Sequence, residues 1–259
     1  MRYSFLERKK YIIEQLEANG QVDTAELSKK LHVSKETLRK DLSELEKENV
    51  LTRTHGGAAR SEGVSPLFER TSYRKKLATR EKEAICKKAA SLIENEDTIF
   101  IDCSTTNFSL LKYVNPAYTL TVITNSLQVV MESENILSPN VTIILVGGLF
   151  KKDFYMCAGD MAMDMIRPFH PNKSFFSFVG IDEDGTLFDA NMHGAEVKRH
   201  FLHNSEKIIM LMDHSKIGKK GGVCMTNVDQ ADALVTDSHL SERDKAILNK
   251  YPTTVLIAD

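Results

Sequence analysis

Short runs of hydroxyl, amide and carboxylate residues directly follow apolar, β-branched stretches in the C-terminal two thirds of the sequence. The richest run extends from Asp102 to Thr106 and follows the stretch Thr98 to Ile101. It carries three neighbouring hydroxyls, on Ser104, Thr105 and Thr106. Hydroxyls beside the backbone amides of a helix start are suited to binding an anion such as phosphate. Helix capping alone also selects Ser and Thr, and the sequence leaves that alternative open.

Further polar residues follow the other predicted strands. Thr124 and Asn125 follow the second strand, and Gly147 and Gly148 follow the third, where backbone can approach a ligand closely. The remaining candidates are charged: Asp182, Glu196, Lys198 and Lys216. Lysines, hydroxyls and amides at one edge suit a phosphate, and neighbouring carboxylates and amides suit sugar hydroxyls. These residues therefore predict a binding site for a phosphorylated sugar.

The same charged residues allow a different function, that of a phosphosugar isomerase or deaminase. Asp182, Glu183, Glu196 and Lys198 could in principle transfer protons. However, Asp182 and Glu183 lie in an Asp-Glu-Asp-Gly run that is typical of a turn, and nothing in the sequence indicates a tuned pKa. We expect no catalytic residues, no metal and no cofactor. An enzyme, or a scaffold that binds no small molecule, remains the alternative.

A second group of candidate residues lies between Val33 and Gly57. Ser34 can cap a helix whose inner face carries regularly spaced leucines, and a short β-type run from Leu51 to Thr54 leads into a His-Gly-Gly turn. A cationic helix followed by a small ribbon is typical of a DNA-recognition helix with a wing. The candidate DNA-binding residues are Ser34, Lys35, Thr37, Arg39, Lys40, Arg53 and His55.

These candidates suit different parts of a DNA duplex. Arg39 and Lys40 are expected to reach base edges or phosphates, because Arg can make a bidentate contact with guanine. Ser34, like Thr37, lies where a phosphate oxygen can bind at the helix start. Arg53 and His55, on the wing, are expected to contact the DNA backbone or a neighbouring minor groove. A helical protein-docking module is the alternative for this region.

The elements that position the DNA-binding residues are three short helices. The first ends near Asn19-Gly20, a capping box at Asp23 to Glu26 opens the second, and the Ser34 helix ends at Asn49. Helices this short must share one core, which we predict to comprise Ile12, Ile13, Leu16, Leu27, Leu31, Leu38, Leu42 and Leu45. Residues 1–59 are therefore predicted to form a winged helix-turn-helix domain.

Residues 60–78 lose this periodicity and are predicted to be a linker, in which Arg74 to Lys76 form a solvated basic patch rather than a second DNA contact. From residue 79 to 259, strand and helix patterns alternate. Strands are predicted at 98–101, 120–123, 141–146, 175–179, 208–212, 233–235 and 254–257, and helices at 80–93, 125–133, 160–167, 194–204 and 241–249. This alternation predicts a mostly parallel sheet covered on both faces, with ligands bound beyond the C-terminal strand ends.

Composition and charge agree with a multidomain α/β protein. Residues 1–90 hold 20 Lys+Arg and 14 Asp+Glu, a net +6, whereas the other 169 residues hold 14 and 22, a net −8. A basic module joined to an acidic one indicates a polyanion partner for the first part, although a mixed solvated surface is the alternative. No apolar run is long enough to span a membrane, and no secretory signal is visible, so we expect a cytoplasmic protein. The four cysteines are widely spaced, which favours reduced thiols over a disulfide or zinc site.

The run from Val33 to Leu42 and the run from Leu51 to Ala58 together resemble the N-terminal signature of the DeoR family of bacterial sugar-metabolism repressors. The family usually has Arg-Arg-Asp-Leu where this chain has Arg39-Lys40-Asp41-Leu42. Lysine keeps the charge at position 40 but loses the planar fork that makes a bidentate contact.

The C-terminal part also resembles this family, in its effector domain. The matching pieces are Asp102–Thr106, Thr124-Asn125, Gly147-Gly148, Phe178-Val179-Gly180, Glu196-Val197-Lys198 and Asp213-His214-Ser215-Lys216. The resemblance implies a fold similar to ribose-phosphate isomerase and glucosamine-phosphate deaminase, and a phosphorylated sugar or related intermediate as effector. The family generally has Gly where this chain has Ser104, which either crowds the phosphate or adds a hydroxyl. The stretch Ala190–Gly194 also looks atypical, and we expect its His193 to be a surface residue.

The sequence thus predicts a regulator, expected to be a repressor, whose affinity for a double-stranded DNA operator is changed by a phosphorylated sugar. The effector must bind the DNA-competent and DNA-incompetent arrangements with different affinity. One winged module contacts too little DNA for tight binding, so we expect at least a homodimer, or a homotetramer, that reads two half-sites. The acidic domain is expected to supply the oligomer contacts.

Overall fold

Residues 5–47, 51–60, 77–134, 136, 138–190 and 192–259 are described by the structure, which is a computed structural model. The chain divides into two units, Met1–Arg70 and Thr71–Asp259. The predicted helix end at Asn49, the basic patch at 74–76 and nearly all of the predicted linker lie outside the described residues.

The N-terminal unit pairs three helices with a small antiparallel sheet of strand order β1-β3-β2. Its elements in the described part are α1 Phe5–Asn19, β1 Gln21–Asp23, α2 Thr24–Leu31, α3 Lys35–Lys47, β2 Leu51–Arg53 and β3 Gly57–Arg60. All eight residues of the predicted core are buried. The shared core of the three short helices is therefore confirmed.

Local chemistry explains how these helices begin. The side chain of Asp23 accepts hydrogen bonds from the amides of Ala25 and Glu26 at 2.7 and 2.9 Å, and so caps α2. The hydroxyl of Ser34 accepts from the Thr37 amide at 3.1 Å and caps α3. Asp23 acts as a single cap here, with no reciprocal bond described from Glu26. Each cap satisfies backbone donors that the first helical turn leaves unpaired.

The predicted two-stranded wing is the hairpin of β2 and β3, and a third strand that was not predicted, β1, extends its sheet. Strand β1 pairs with β3, with Val22 opposite Ala58. Three residues between two helices are too few to show a strand alternation, so β1 has no local signal in the sequence. Gly57 permits this pairing, because a Cβ at that position would lie 1.8 Å from the carbonyl oxygen of Val22.

The C-terminal unit contains a seven-stranded parallel sheet of order β15-β14-β12-β9-β4-β5-β6. Its strands are β4 Thr98–Ile101, β5 Leu120–Thr124, β6 Val141–Leu145, β9 Lys173–Phe176, β12 Lys207–Leu211, β14 Ala233–Asp237 and β15 Thr254–Ala258. The predicted α/β architecture and its parallel sheet are confirmed. Strand β9, Lys173–Phe176, begins and ends earlier than the predicted 175–179. The early start was not predicted because the first residue is a lysine, which is buried here because it pairs with Asp97 and Glu94 at 2.7 and 2.6 Å.

Helices cover both faces of this sheet. The described helices of the unit are α4 Thr79–Ala90, α5 Leu127–Ser133, α6 Asp160–Ile166, α7 Met192–Asn204 and α8 Glu242–Leu248. Ile99 and Ile101 of β4 join a core with Ile85 of α4, whereas Phe100 points to the opposite face and stacks on Phe201 of α7 at a centroid distance of 4.0 Å. Alternate side chains of one strand thus enter two cores, as expected for a sheet buried on both faces.

Five short strands outside the parallel sheet were not predicted. They form the hairpin β7 Leu149–Lys151 with β8 Met156–Ala158, and the antiparallel sheet of β10 Gly180–Ile181, β11 Thr186–Asp189 and β13 Val223–Asn227. The region Asp102 to Thr106 leads into a 3₁₀-helix, Asn107–Tyr113, rather than the expected α-helix. Within the described residues, no helix is long and apolar enough to cross a membrane.

Candidate functional site

Ser177 lies at the centre of a polar site at the C-terminal ends of the middle strands. It follows β9 directly, and both its backbone and its side chain are engaged. Its hydroxyl lies 3.2 Å from that of Thr106, which follows β4. We name the group of Lys82, Thr105, Thr106, Ser177, Asp213 and Lys216 the strand-end cluster.

Lys216 supplies one cation to the strand-end cluster. Its Nζ donates to the Ser177 hydroxyl at 2.7 Å and to the Thr106 hydroxyl at 2.9 Å, and lies 3.7 Å from a carboxylate oxygen of Asp213. Burial alone would raise the pKa of Asp213. The charge of Lys216, a hydrogen bond from Ser215 and the charge of Lys82 together lower it below its ordinary value. Asp213 is thus a buried carboxylate beside two lysines.

Lys82 of α4 supplies the second cation. Although the residue is only 7% exposed, its Nζ reaches the hydroxyl of Thr105 at 3.2 Å. One turn further along α4, the thiol of Cys86 donates to the carbonyl of Thr106 at 2.8 Å. Burial raises the pKa of Cys86 to about 12, so this thiol stays neutral and acts as a donor. Helix α4 therefore fixes the position of the Thr105-Thr106 turn.

Three buried charged residues form an ion-pair core next to the strand-end cluster. We use this name for Asp102, Asp189 and Lys198. The Lys198 Nζ lies 3.0 Å from Asp102 Oδ2 and 2.7 Å from Asp189 Oδ2, and donates to the carbonyl of Ser177 at 2.6 Å. Burial would lower the pKa of Lys198, but the two carboxylates raise it well above its ordinary value. Lys198 is consequently a fixed cation, held between two carboxylates and the Ser177 carbonyl.

Asp102 is fully engaged as well. Its Oδ1 accepts from the Ser104 amide at 2.9 Å and the Asn107 side chain at 2.7 Å. Its Oδ2 accepts from the Ser177 amide at 3.0 Å and faces Lys198. The ion-pair core therefore holds the backbone at Ser104 and Ser177, the two points from which the strand-end cluster is built.

The hydroxyls after β4 do not act as helix caps. The 3₁₀-helix has Thr106 at its N-cap, and this side chain makes no capping hydrogen bond. The Ser104 hydroxyl is buried and has no hydrogen-bond partner among the described residues. A buried polar atom without a partner costs free energy, which a ligand oxygen at this position would recover. Capping, the alternative explanation for this run, does not describe these three side chains.

Thr124 and Asn125, which were also predicted to bind the effector, make separate contacts. The Thr124 hydroxyl donates to the Ile101 carbonyl, and the Asn125 side chain donates to the Cys157 carbonyl and leaves its own oxygen buried without a partner. No hydrogen bond in the described structure joins either residue to the strand-end cluster. Thr124 is the last residue of β5, the strand beside β4, and Asn125 follows it, so both lie at the same edge of the sheet.

The four other predicted effector residues, Gly147, Gly148, Asp182 and Glu196, lie outside the strand-end cluster. Gly147 and Gly148 follow the edge strand β6, and a Cβ on Gly148 would lie 2.8 Å from the carbonyl oxygen of Ala158. Asp182 accepts from two backbone amides within its own turn, and Glu196 is exposed on α7. The described contacts of these four residues do not include the strand-end cluster.

Sequence reasoning missed three residues of this region: Lys82, Ser177 and Asp189. Ser177 was included within a predicted strand that in fact ends at Phe176. Lys82 lies within the predicted helix 80–93 but was not singled out as a site residue, and Asp189 ends β11, which was not predicted. Of these three residues, only Ser177 has a local sequence signal: it is the one hydroxyl residue in the otherwise apolar run from Phe175 to Val179.

In the N-terminal unit, the predicted DNA-binding residues lie on α3 and on the β2–β3 hairpin. Lys35, Arg39 and Lys40 are exposed on α3, and Lys40 lies 3.8 Å from Glu36 one turn earlier. That exposed pair contributes little to stability and leaves Lys40 free to exchange partners. His55 is exposed at the hairpin turn. The outer face of α3 is therefore positively charged and open to solvent.

Arg53 ties the wing to this helix. Its guanidinium donates to the Arg39 carbonyl at 3.3 Å and to the Ser43 hydroxyl at 3.1 Å. The inner side of α3 is fixed by Asp41, whose carboxylate receives two hydrogen bonds from Arg8 of α1 at 2.7 and 3.0 Å. Both sides of α3 are thus anchored, so Arg39 is presented on a rigid element.

Comparison with known proteins identifies both units. The family model described as the DeoR-like helix-turn-helix domain matches residues 8–63, and the model described as the DeoR C terminal sensor domain matches residues 77–238. The HTH-type transcriptional regulator GolR of Listeria innocua is 34% identical over 95% of this chain and 94% of its own. The glycerol-3-phosphate regulon repressor of Escherichia coli is 34% identical over 88% of each chain.

Two further matches are another repressor and a solved structure. The lactose phosphotransferase system repressor of Staphylococcus aureus is 32% identical over 93% of this chain and 95% of its own. Among solved structures, ribose 5-phosphate isomerase A of Methanocaldococcus jannaschii matches 52% of this chain and 53% of its own, with a TM-score of 0.39 and 13% identity.

Proposed function

The chain belongs to the DeoR family of DNA-binding transcriptional regulators of sugar metabolism, and from that membership we propose that it is a repressor controlled by a phosphorylated sugar bound at the strand-end cluster. The observation that carries the proposal is the position of Lys216, whose ammonium group contacts the hydroxyls of Thr106 and Ser177. These groups come from the ends of three different strands, where open α/β sheets bind ligands.

The strand-end cluster contains hydrogen-bond donors that suit a phosphate group. Lys82 and Lys216 supply positive charge, and the hydroxyls of Thr105, Thr106 and Ser177 supply hydrogen bonds. A bound phosphate would replace contacts that these groups now make with one another. The lysines would then face a negatively charged phosphate oxygen instead of a neutral hydroxyl, which adds the attraction between opposite charges to each hydrogen bond.

Ser104 and Asn125 extend the proposed site towards the sugar. Each has a buried oxygen without a partner in the described structure, and each follows one of two adjacent strands. We propose that Ser104 adds a hydroxyl contact rather than crowding the ligand. The names of two relatives, which repress a glycerol-3-phosphate regulon and a lactose phosphotransferase system, support a phosphorylated metabolite as the effector.

DNA binding is assigned to the exposed cationic face of α3. Arg39 is the main candidate for base contacts, with Lys35 and Lys40 beside it, and Ser34 and Thr37 at the helix start suit phosphate contacts. Arg53 supports the wing, and His55 at its turn is free to reach the DNA backbone. We further propose a homodimer or homotetramer that reads two half-sites, because one such module contacts too little DNA for tight binding. Its DNA partner implies action in the cytoplasm.

We propose that the sensor unit does not catalyse a reaction. Glu196 is exposed on α7, and the other candidates for proton transfer are held in ion pairs: Lys198 with Asp102 and Asp189, and Glu183 with Arg243. Asp182 faces Lys220 at 3.3 Å. A general acid or base needs a pKa near the working pH and access to the substrate, and these pairs favour neither.

The proposal is tested by operator binding measured with and without candidate effectors. The full-length protein is titrated onto DNA from the region beside its own gene, in the presence of glycerol, pentose or hexose phosphates, with the unphosphorylated compounds as controls. We expect one phosphorylated compound to change the affinity of the protein for DNA. The same compound should raise the free energy of unfolding, by about 2.7 kcal/mol at 100 times its Kd. No shift with any phosphorylated compound, or an equal shift with its unphosphorylated form, would contradict the proposal. Turnover of a phosphosugar would establish the enzyme alternative.

A further inference from the structure

Two histidines and one aspartate converge beside the strand-end cluster. Asp237 is the last residue of β14, His239 follows it, and His214 opens the 3₁₀-helix His214–Lys216 after the neighbouring strand β12. The Nδ1 atoms of His214 and His239 lie 2.9 and 3.1 Å from the same oxygen, Asp237 Oδ1. The sequence separates these residues too widely for the cluster to be predicted from spacing.

The geometry of this group resembles an open metal site. Metal bonds to imidazole nitrogen and carboxylate oxygen are about 2.0–2.2 Å long, which places adjacent ligand atoms about 3 Å apart. Both separations to Asp237 Oδ1 meet that requirement, and the donor atoms all lie within 4.8 Å of one another. The His239 side chain is 65% exposed and can rotate to close the remaining separation between the two imidazoles.

The surroundings of Asp237 keep its carboxylate in place. It is only 2% exposed, and its second oxygen accepts from the His214 amide at 2.8 Å. Hydrogen bonds of this kind orient a ligating carboxylate and are a regular part of protein metal sites. His214 is about one third exposed, so the open side of the group faces solvent. Water, or an oxygen of a bound molecule, could complete the coordination.

We propose that His214, Asp237 and His239 bind one divalent first-row transition-metal ion of the zinc class. Two imidazoles and one carboxylate favour such an ion over Mg²⁺ or Ca²⁺, which prefer sites made of oxygen ligands alone. Three protein ligands leave at least one coordination position open. This departs from the expectation, drawn from the sequence, that the protein has no metal site.

The proposed site also adjoins the effector site. His214 and Lys216 belong to the same three-residue turn, so a metal ion on His214 would restrict the turn that carries Lys216. The inference does not depend on the proposed effector, because metal binding is measured without any sugar phosphate.

The test is a titration of Zn²⁺ into the full-length protein, prepared without a histidine tag and with Cys224→Ser, since Cys224 is an exposed thiol. Calorimetry gives the stoichiometry, and the visible spectrum of the Co²⁺ form reports the ligands. We expect one ion per chain, and at least about a tenfold loss of affinity in each of His214→Gln and His239→Ala. His203→Ala changes an exposed histidine outside the group and should bind Zn²⁺ like the parent.

Circular dichroism and operator binding of each variant show whether it is folded, so that a loss of affinity can be assigned to the ligand. A parent protein that binds no stoichiometric Zn²⁺ would overturn the proposal. So would folded His214→Gln and His239→Ala variants that bind Zn²⁺ as tightly as the parent, because the ion would then lie elsewhere.

Discussion

The Nζ of Lys216 lies 2.7 Å from the hydroxyl of Ser177, although 39 residues separate the two in the chain. This contact joins the turn after β12 to the end of β9, its neighbour in the sheet. Ser177 is held from the other side by the ion-pair core, because its amide donates to Asp102 and its carbonyl accepts from Lys198. One residue thus connects the proposed ligand contacts to the buried charges that position them.

Replacing Lys216 with Met should abolish the effector response while preserving operator binding. The variant loses the charge that we assign to the phosphate, whereas α3 belongs to the other unit and keeps its DNA contacts. We expect at least about a tenfold loss of effector affinity, in keeping with the strength of charge-assisted hydrogen bonds. Operator titrations with and without effector measure this, and Lys219→Met, three residues away and exposed, is the matched control. A normal response in Lys216→Met would remove this residue from the pocket.

Removing the Ser104 hydroxyl distinguishes its two suggested roles. If it contacts the ligand, both Ser104→Ala and Ser104→Gly should weaken effector binding about five- to tenfold, the value of one hydrogen bond of about 1 kcal/mol. The unliganded protein should become more stable in Ser104→Ala, because the buried hydroxyl has no partner in the described structure and its removal relieves that cost. Tighter effector binding in both variants would instead show that the side chain crowds the phosphate.

The parallel sheet could be predicted from the sequence, but the set of residues that form the site could not. Runs such as Leu120 to Thr124 consist of Leu, Val, Ile and Thr with no charged residue, so a buried strand is visible locally. The contact between Lys216 and Thr106 spans 110 residues and depends on strand order, which no local periodicity records. Lys82 could not be recognised as a site residue for the same reason, since its hydroxyl partner, Thr105, follows a different element, β4.

The ion-pair core should dominate the stability of the sensor unit. Lys198→Met leaves the carboxylates of Asp102 and Asp189 buried without their cation, which costs about 3–5 kcal/mol. Urea unfolding of the full-length protein measures the change. The exposed Lys112→Met is the control and should shift stability by less than about 0.5 kcal/mol. A loss below about 1 kcal/mol in Lys198→Met would show that the two carboxylates find other partners or take up protons.

Asp213 should make stability depend on pH on the acid side. Its pKa is lower in the folded protein, because the effect of burial is outweighed by Lys216, Ser215 and Lys82. The resulting stabilisation is complete above the ordinary Asp pKa of about 3.9, and it is lost as the pH falls through the lower, folded value. Lys216→Met raises the folded pKa, so its acid unfolding midpoint should move to higher pH, whereas that of Lys219→Met should not. Equal midpoints for Lys216→Met and the parent would show that Lys216 does not hold Asp213 ionised.

Arg39 should decide operator recognition, because it is the arginine exposed on the outer face of α3 while Arg53 is engaged with the helix backbone. Arg39→Ala should lose about 1–3 kcal/mol of operator affinity and relax the preference at one base pair. Lys35→Ala, if it removes only a phosphate contact, should weaken binding to all sequences alike and lower the salt dependence by about one unit. Fluorescence anisotropy on operator and scrambled DNA over a range of salt concentrations separates these outcomes. If Arg39→Ala binds both DNAs as the parent does, Arg39 does not recognise a base. The Arg53 contacts then make the wing the next element to test.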